Sequence, residues 1–517
     1  MNLRAKKILL LLLAAALLAG SGQVQKSLNR DRKELDLTRM APLENAPPLL
    51  AFTTVVLGGF RGLISNFLWI RASDLQLEGK YFEMVQLAGW ITDLEPHFPQ
   101  VWVFQAWNMA WNISVKFTDF SDRWRWVQRG MELLRDDGLR YNPNDVLLYQ
   151  WLSWIFQSKM GQNMDDANLY YKEQWAGEMT PFFGPNGTNF DGLLHPQNAE
   201  AEARVKLFRE KYKMDPVFVK KVDDRWGPLD WRLPEASAIY WAALGLEKAK
   251  ENPGKVKPSD LTMLGRSLYQ SMLQAFYHGR LVINPFDKSV DLYPDLDLVS
   301  RVNDAYETRY AEETDPGQRN GIQTAHRNFL GDAVYFLYED NRVAEAAKWF
   351  RYLGQKYPDQ PLLGADANSL PSQITLDQFA IARVQEDVGG TDQNRTTAAV
   401  EGLIARAYYE LAIGHDDRFA GFKQLAGKIY ERYQTKTAGF EGGQQRVGLP
   451  PFADINRTVL NQMLDPKQGI PFAMRAVLRT QLRLPPETVS TNALPIAVTS
   501  TNLPAAVDTN TSDSVTK

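Results

Sequence analysis

Three carboxylates crowd residues 222–234, VDDRWGPLDWRLP: Asp223, Asp224 and Asp230, interleaved with Trp226 and Trp231. Paired carboxylates among aromatic rings are what glycoside hydrolysis uses, one acid raised in pKa and its partner ionised. The same residues beside Trp, Gly and Pro also cap helices and brace loops. Both readings stay open: an all-helical carbohydrate-active enzyme using Asp223, Asp224 and Asp230, or a structural loop.

No other arrangement points to catalysis. The five histidines, His97, His195, His278, His326 and His415, never fall within one helical turn of each other. No HExxH spacing is present, so a zinc site would need ligands gathered from afar. The chain has no cysteine, which removes disulfides, thiolate nucleophiles, iron–sulfur clusters and Cys-ligated zinc. There is no G-x-S-x-G elbow, no P-loop and no G-x-G-x-x-G entering a helix. We therefore expect no metal and no cofactor.

The elements that position these residues are helical. Hydrophobic residues make up 44% and charged residues 23% of the 517, ordinary for a globular protein, and 14 Trp, 20 Tyr and 25 Phe supply core material. Net charge is −3 with Lys and Arg scattered. That is not the basic footprint of phosphate neutralisation, and nucleic acid is not an expected partner.

Residues 67–102 read as helix, Gly-Lys-Tyr turn, second helix and Pro break. Leu68, Ala72 and Leu75 line the first helix, Gly79 and Tyr81 make the turn, and Pro96 ends the second. The stretch resembles a tetratricopeptide repeat. It departs from the family pattern at Met84 and Ile91, where small residues are usual, and at Ala88, where a large one is commoner. A second copy starts at Pro99 with Trp102, Ala106 and Met109, and a third at Asn144 with Leu147, Trp151 and Trp154. Residues 325–358 are closer to the pattern: Leu330, Ala333, Val334 and Leu337, then Ala346, Phe350 and Leu353. Asn341 to Pro358 spans the same interval as Gly79 to Pro96. Another hairpin turns at GHDD, residues 414–417. No strand is expected.

The resemblance implies an all-α fold, a right-handed αα superhelix, with repeats over 49–179 and 321–484. Residues 180–320 form a helical middle region with long loops, at 180–195 and 222–234. Residues 23–48 read as a linker. Residues 485–517, rich in Thr, Ser, Asn and Pro, lack the apolar groups to order themselves. The resemblance also implies a concave groove for a protein or peptide partner, with Asn66, Trp69, Ser73, Gln76 and Trp107 facing it.

Residues 1–22, MNLRAKKILLLLLAAALLAGSG, have the basic start, apolar run and small residues of a secretory signal. The run falls short of the ~20 apolar residues of a spanning helix. We expect a signal peptide or signal anchor, and an exported protein, periplasmic or held on the outer side of the cytoplasmic membrane. Residues 49–70 are long enough to span, but Arg61 in their middle is costly there. Thr54, Gly58, Arg61 and Ser65 share one helical face, so we expect this run to pack in the fold, its helix beginning near Leu49. Membrane association through 8–22 and 49–70 is the alternative; if both span, the repeats lie in the cytoplasm.

Overall fold

The computed structural model describes residues 60–487, except 163, 287–289, 364–368, 389–392 and 439–447, and a few helical positions among 17–31. Most of the signal segment and of the linker, residues 49–59 with Thr54 and Gly58, and nearly all of the 485–517 tail lie outside the described residues. The described chain is mostly helical and divides into two compact units between Glu386 and Asp387. The expected boundaries at 180 and 321 both fall inside the first unit.

The first unit begins with the hairpin of α1 (Phe60–Leu77) and α2 (Tyr81–Leu94). Ala72 and Leu75 from α1 meet Met84 from α2 in a buried cluster, against which Tyr81, Leu87 and Phe104 pack. Ala88 and Ile91 are buried on the same side of α2. The turn is made by Gly79 at φ 72°, with Lys80 N–H donating to Leu75 O (2.9 Å) and Gly79 N–H to Gln76 O (3.1 Å). A residue with positive φ closing the last helical carbonyls is a left-handed C-cap. α13 (Pro316–Glu339) and α14 (Val343–Lys356) join in the same way. There Asn341 takes φ 62°, and Arg342 N–H reaches Leu337 O (2.8 Å). Leu330, Ala333, Val334, Leu337, Ala346 and Leu353 are all buried in this hairpin, but Trp349 is buried beside them where Phe350 was expected.

Between these hairpins run α3 (Pro99–Trp107), α4 (Phe120–Glu132), α5 (Val146–Trp154), α6 (Asn168–Phe183), the short α7 (Asp191–Leu194), α8 (Ala199–Lys211), α9 (Pro216–Trp226), α10 (Pro234–Glu251), α11 (Pro258–His278) and α12 (Val299–Glu312). Their starts are written in the sequence. Asp119, Asp145, Asn198 and Asp215 accept backbone N–H bonds at N-caps, and Pro opens α3, α9, α10 and α11, where its missing N–H costs nothing. α3, α4 and α5 each continue into a π-helical turn, over Asn108–Ile113, Leu133–Gly138 and Ile155–Gly161. Widened turns of this kind are rare and concentrate at functional sites.

Four expectations need correcting. α9 occupies residues read as loop, so the irregular stretch shrinks to 227–233. α6 carries Pro181 in its last turn and ends at Gly184, φ 73°, later than expected. α15 (Leu376–Val388) was not anticipated. β1 (Arg280–Ile283) and β2 (Val290–Tyr293) pair antiparallel, Arg280 opposite Tyr293 and Ile283 opposite Val290. Leu281 of β1 packs on Ala176 and Leu233, which anchors the strand pair to the helices.

The second unit is built on α16 (Gln393–Ala412) and α17 (Asp416–Ala438), turning at Gly414 (φ 92°). α18 (Phe452–Met463) and α19 (Phe472–Gln481) pack on α16. Arg475 of α19 is buried and grips Glu487 with two bonds of 2.8 and 2.9 Å, so the last described residues are tied to the unit.

Candidate functional site

On α1, Asn66, Trp69, Ser73 and Gln76 recur every three or four residues and therefore share one face. Asn66 and Ser73 are exposed, Trp69 and Gln76 half-buried. The Ser73 hydroxyl donates to Trp69 O (3.0 Å). The Trp69 ring meets Phe104 of α3 edge-on, centroids 5.1 Å apart. One turn further along α3 stands Trp107, and in the π-helical turn Trp111, both half-buried. Trp111 stacks on Trp154 at the end of α5, centroids 4.4 Å apart and planes 17° from parallel, and Trp151 meets Trp154 edge-on at 4.8 Å.

The first helices of three successive hairpins thus carry a series of half-exposed rings, Trp69 on Phe104 at one end and Trp111, Trp154 and Trp151 at the other, with Trp107 between them in the chain. Sequence reasoning found Trp69 and Trp107 and missed the others as members of the row. The spacing 104, 107, 111 was the available signal. By contrast Trp102 is buried, its Nε1–H donating to Pro96 O (2.8 Å).

Each of the three carboxylates has a tie of its own. Asp223 Oδ1 accepts from Leu229 N–H (2.9 Å) and from the Trp231 indole (3.0 Å), closing the turn after α9. Asp224, 64% exposed, pairs with Lys220 one turn back. Asp230 is buried against Arg232, whose Nε donates to its Oδ1 (2.8 Å). Arg232 also holds Pro185 O and Leu281 O (3.2 Å). One guanidinium thus binds the loop after α6, the loop before α10 and β1. Gly187, at φ 72°, closes this knot, for a Cβ there would lie 1.9 Å from Asp230 Oδ1.

The densest polar chemistry lies elsewhere, around the π-helical turn Ile155–Gly161. It packs against α6, α10 and α11. Glu235, in the first turn of α10, is 1% exposed, and no group outside its own residue hydrogen-bonds either carboxylate oxygen. Gln157 Oε1, Gln274 Oε1, Ser237 Oγ, Ser271 Oγ and Trp175 Nε1 are also buried without hydrogen-bond partners. Lys172 of α6 is equally buried and donates to Asn168 Oδ1 (3.3 Å).

Burial pushes the Glu235 carboxyl up to about 7, against the pull of the Lys172 charge. Burial likewise lowers Lys172, and burial with the Lys172 charge lowers His278 of α11. On the far side of the turn Lys159 is buried in a pair with Asp165, which Arg123 also contacts (3.3 Å). Apart from His278, which sequence offers only as one of five scattered histidines, none of these residues stands out in the sequence, because their polar atoms meet only in three dimensions.

Among the described residues no group of three or more His, Asp and Glu is placed to hold a metal ion, and no helix is long and apolar enough to cross a membrane. Comparison with protein-family models, with curated proteins and with solved structures gives no match.

Proposed function

We propose that this chain is a non-catalytic scaffold of the cell envelope, a right-handed superhelix of tetratricopeptide-like hairpins that holds a protein partner against its aromatic face. The observation that carries the reading is the row from Trp69 to Trp154. Trp is enriched at binding hot spots, and these rings are neither buried in the core nor freely exposed. Rings braced edge-on and face-to-face are ordered before binding, which reduces the entropy lost on association. Asn66, Ser73 and Gln76 border the row with adaptable hydrogen-bonding groups. The repeat reading draws support from the shared left-handed turns at Gly79 and Asn341. Placement outside the cytoplasmic membrane rests on the signal-like layout of residues 1–22. The separate ties of Asp223, Asp224 and Asp230 support the scaffold reading over the carbohydrate-active alternative.

The test is a photo-crosslinking residue at Ser73 in the cell that makes the protein, with a control at the exposed Lys206 of α8. A discrete adduct is expected at Ser73 and not at Lys206, and is lost in Trp69→Ala/Trp107→Ala while circular dichroism stays helical. An adduct that survives the double substitution would overturn the reading.

A further inference from the structure

Gly161 ends the π-helical turn, and a Cβ there would lie 3.3 Å from Glu235 Oε1 and 3.1 Å from Gln274 Oε1. Two hydrogen-bond acceptors, both without partners, therefore converge on the same small residue. A buried oxygen with no partner forfeits its hydration, and a bare buried carboxylate costs more than a neutral acid. A proton on Glu235 removes that charge and supplies a donor on the side where Gln274 Oε1 also lacks one.

We infer that the junction of the π-helical turn with α10 and α11 is a proton-binding site, in which Glu235 takes up a proton as the solution turns from neutral to mildly acidic and shares it with Gln274. The site does not depend on the partner-binding reading.

Its charged surroundings are few. From α6 comes Lys172, from the loop before α10 Asp230 paired to Arg232, and from α11 His278. Lys159 of the π-helical turn is engaged with Asp165. Burial, with a smaller push from the Asp230 charge, favours the neutral acid and outweighs the Lys172 charge and the residue's own backbone hydrogen bond, setting the carboxyl at about 7. Because that value is raised, folding takes up a proton. The stabilisation from this group is complete below about 4.5 and is lost as pH rises through about 7.

Other buried groups titrate nearby. Asp295, pushed up to about 6 by burial, acts with the same sign, and His278 and His326, both lowered by burial, with the opposite sign. The informative quantity is therefore the difference between wild type and Glu235→Gln, a neutral isostere that still offers a donor to Gln274.

The experiment is infrared spectroscopy of the full chain made with isotope-labelled glutamate, titrated across about 5 to about 9. A labelled C=O band of a protonated acid should persist to near neutrality, convert to carboxylate around pH 7 and be missing from Glu235→Gln. In parallel, thermal unfolding should show wild type losing stability relative to Glu235→Gln as pH rises through that window. Lys172→Met should move the infrared transition to higher pH. A Glu235 carboxylate band already complete at about pH 5, or equal pH slopes in the two proteins, would overturn the assignment. Should Glu235→Gln fail to fold, the shift of the transition in Lys172→Met assigns the band, because the Lys172 charge acts on Glu235; a protonated-acid band that does not move there would overturn the assignment.

Discussion

The indole of Trp154 lies flat on that of Trp111, centroids 4.4 Å apart, across the gap between α5 and α3. Both residues stand where their helices give way to π-helical turns. The contact joins two consecutive hairpins within the aromatic row. Stacked aromatic pairs contribute about 0.5–1.5 kcal/mol beyond the area they bury. A double-mutant cycle of Trp111→Ala and Trp154→Ala should return a coupling of about 1 kcal/mol in chemical unfolding. Strict additivity would mean the rings do not brace each other.

Asp230 and Arg232 make the opposite kind of contact, a buried ion pair tying two loops and β1 together. Removing one partner of such a pair costs about 3–5 kcal/mol, because the other charge is stranded. Asp230→Asn and Arg232→Ala should both lower the unfolding midpoint strongly. Asp224→Asn, at an exposed surface pair, should stay within about 0.5 kcal/mol of wild type. A stable Asp230→Asn protein would return this carboxylate to candidacy for chemistry.

In the second unit Glu410 is fully buried beside Arg406, His415 and Arg418, with a 2.7 Å hydrogen bond to His415 and an ion pair to Arg406 at 2.7 Å. Burial alone would raise its carboxyl. The His415 hydrogen bond and the Arg418 and Arg406 charges win, holding it below the usual value. A depressed carboxylate stabilises the fold above its unfolded value and loses that contribution as pH falls through the folded one. Melting should therefore weaken with acid below about pH 4.5. In Glu410→Gln the melting temperature should already be lower at neutral pH, with a shallower acid slope. Parallel acid limbs in the two proteins would contradict this.

How much of this was legible in the sequence depended on whether a signal was local. The hairpins at Gly79 and Asn341 were, because a left-handed turn residue and a Pro at one fixed interval frame both. Phe452–Met463 likewise starts directly after Pro451, a local signal. α9 was overlooked because Trp226, Gly227 and Pro228 suggested a loop, although Asp215–Pro216 is a helix start. The strand pair was announced only by Val282 and Ile283 before Asn284–Pro285, a short run easily taken for a helix end. The aromatic row was half-legible: helical periodicity selects Trp69 and Trp107, but only packing brings Trp154 to Trp111. The Glu235 site was not legible at all, since Gln157, Lys172, Glu235 and Gln274 lie on four separate elements.

Gly161 and Gly177 make a last comparison, because the same substitution should have opposite signs at the two. Gly177 lies exposed within α6 with nothing inside 4 Å of an added Cβ. Alanine there removes backbone freedom from the unfolded chain and should stabilise by about 0.4–1 kcal/mol. At Gly161 the added methyl would press on Gln274 Oε1 at 3.1 Å, Phe156 O at 3.2 Å and Glu235 Oε1 at 3.3 Å. Glu235 is enclosed and cannot retreat into solvent, and overpacking a filled interior costs about 1–3 kcal/mol. Gly161→Ala should lower the unfolding midpoint while Gly177→Ala raises it. The strain at Gly161 should also separate Glu235 from Gln274, so the pH-dependent part of stability should shrink in that variant alone. If Gly161→Ala proved as benign as Gly177→Ala, the π-helical turn would have room to spare and the approach of the two acceptors to Gly161 would lose its meaning.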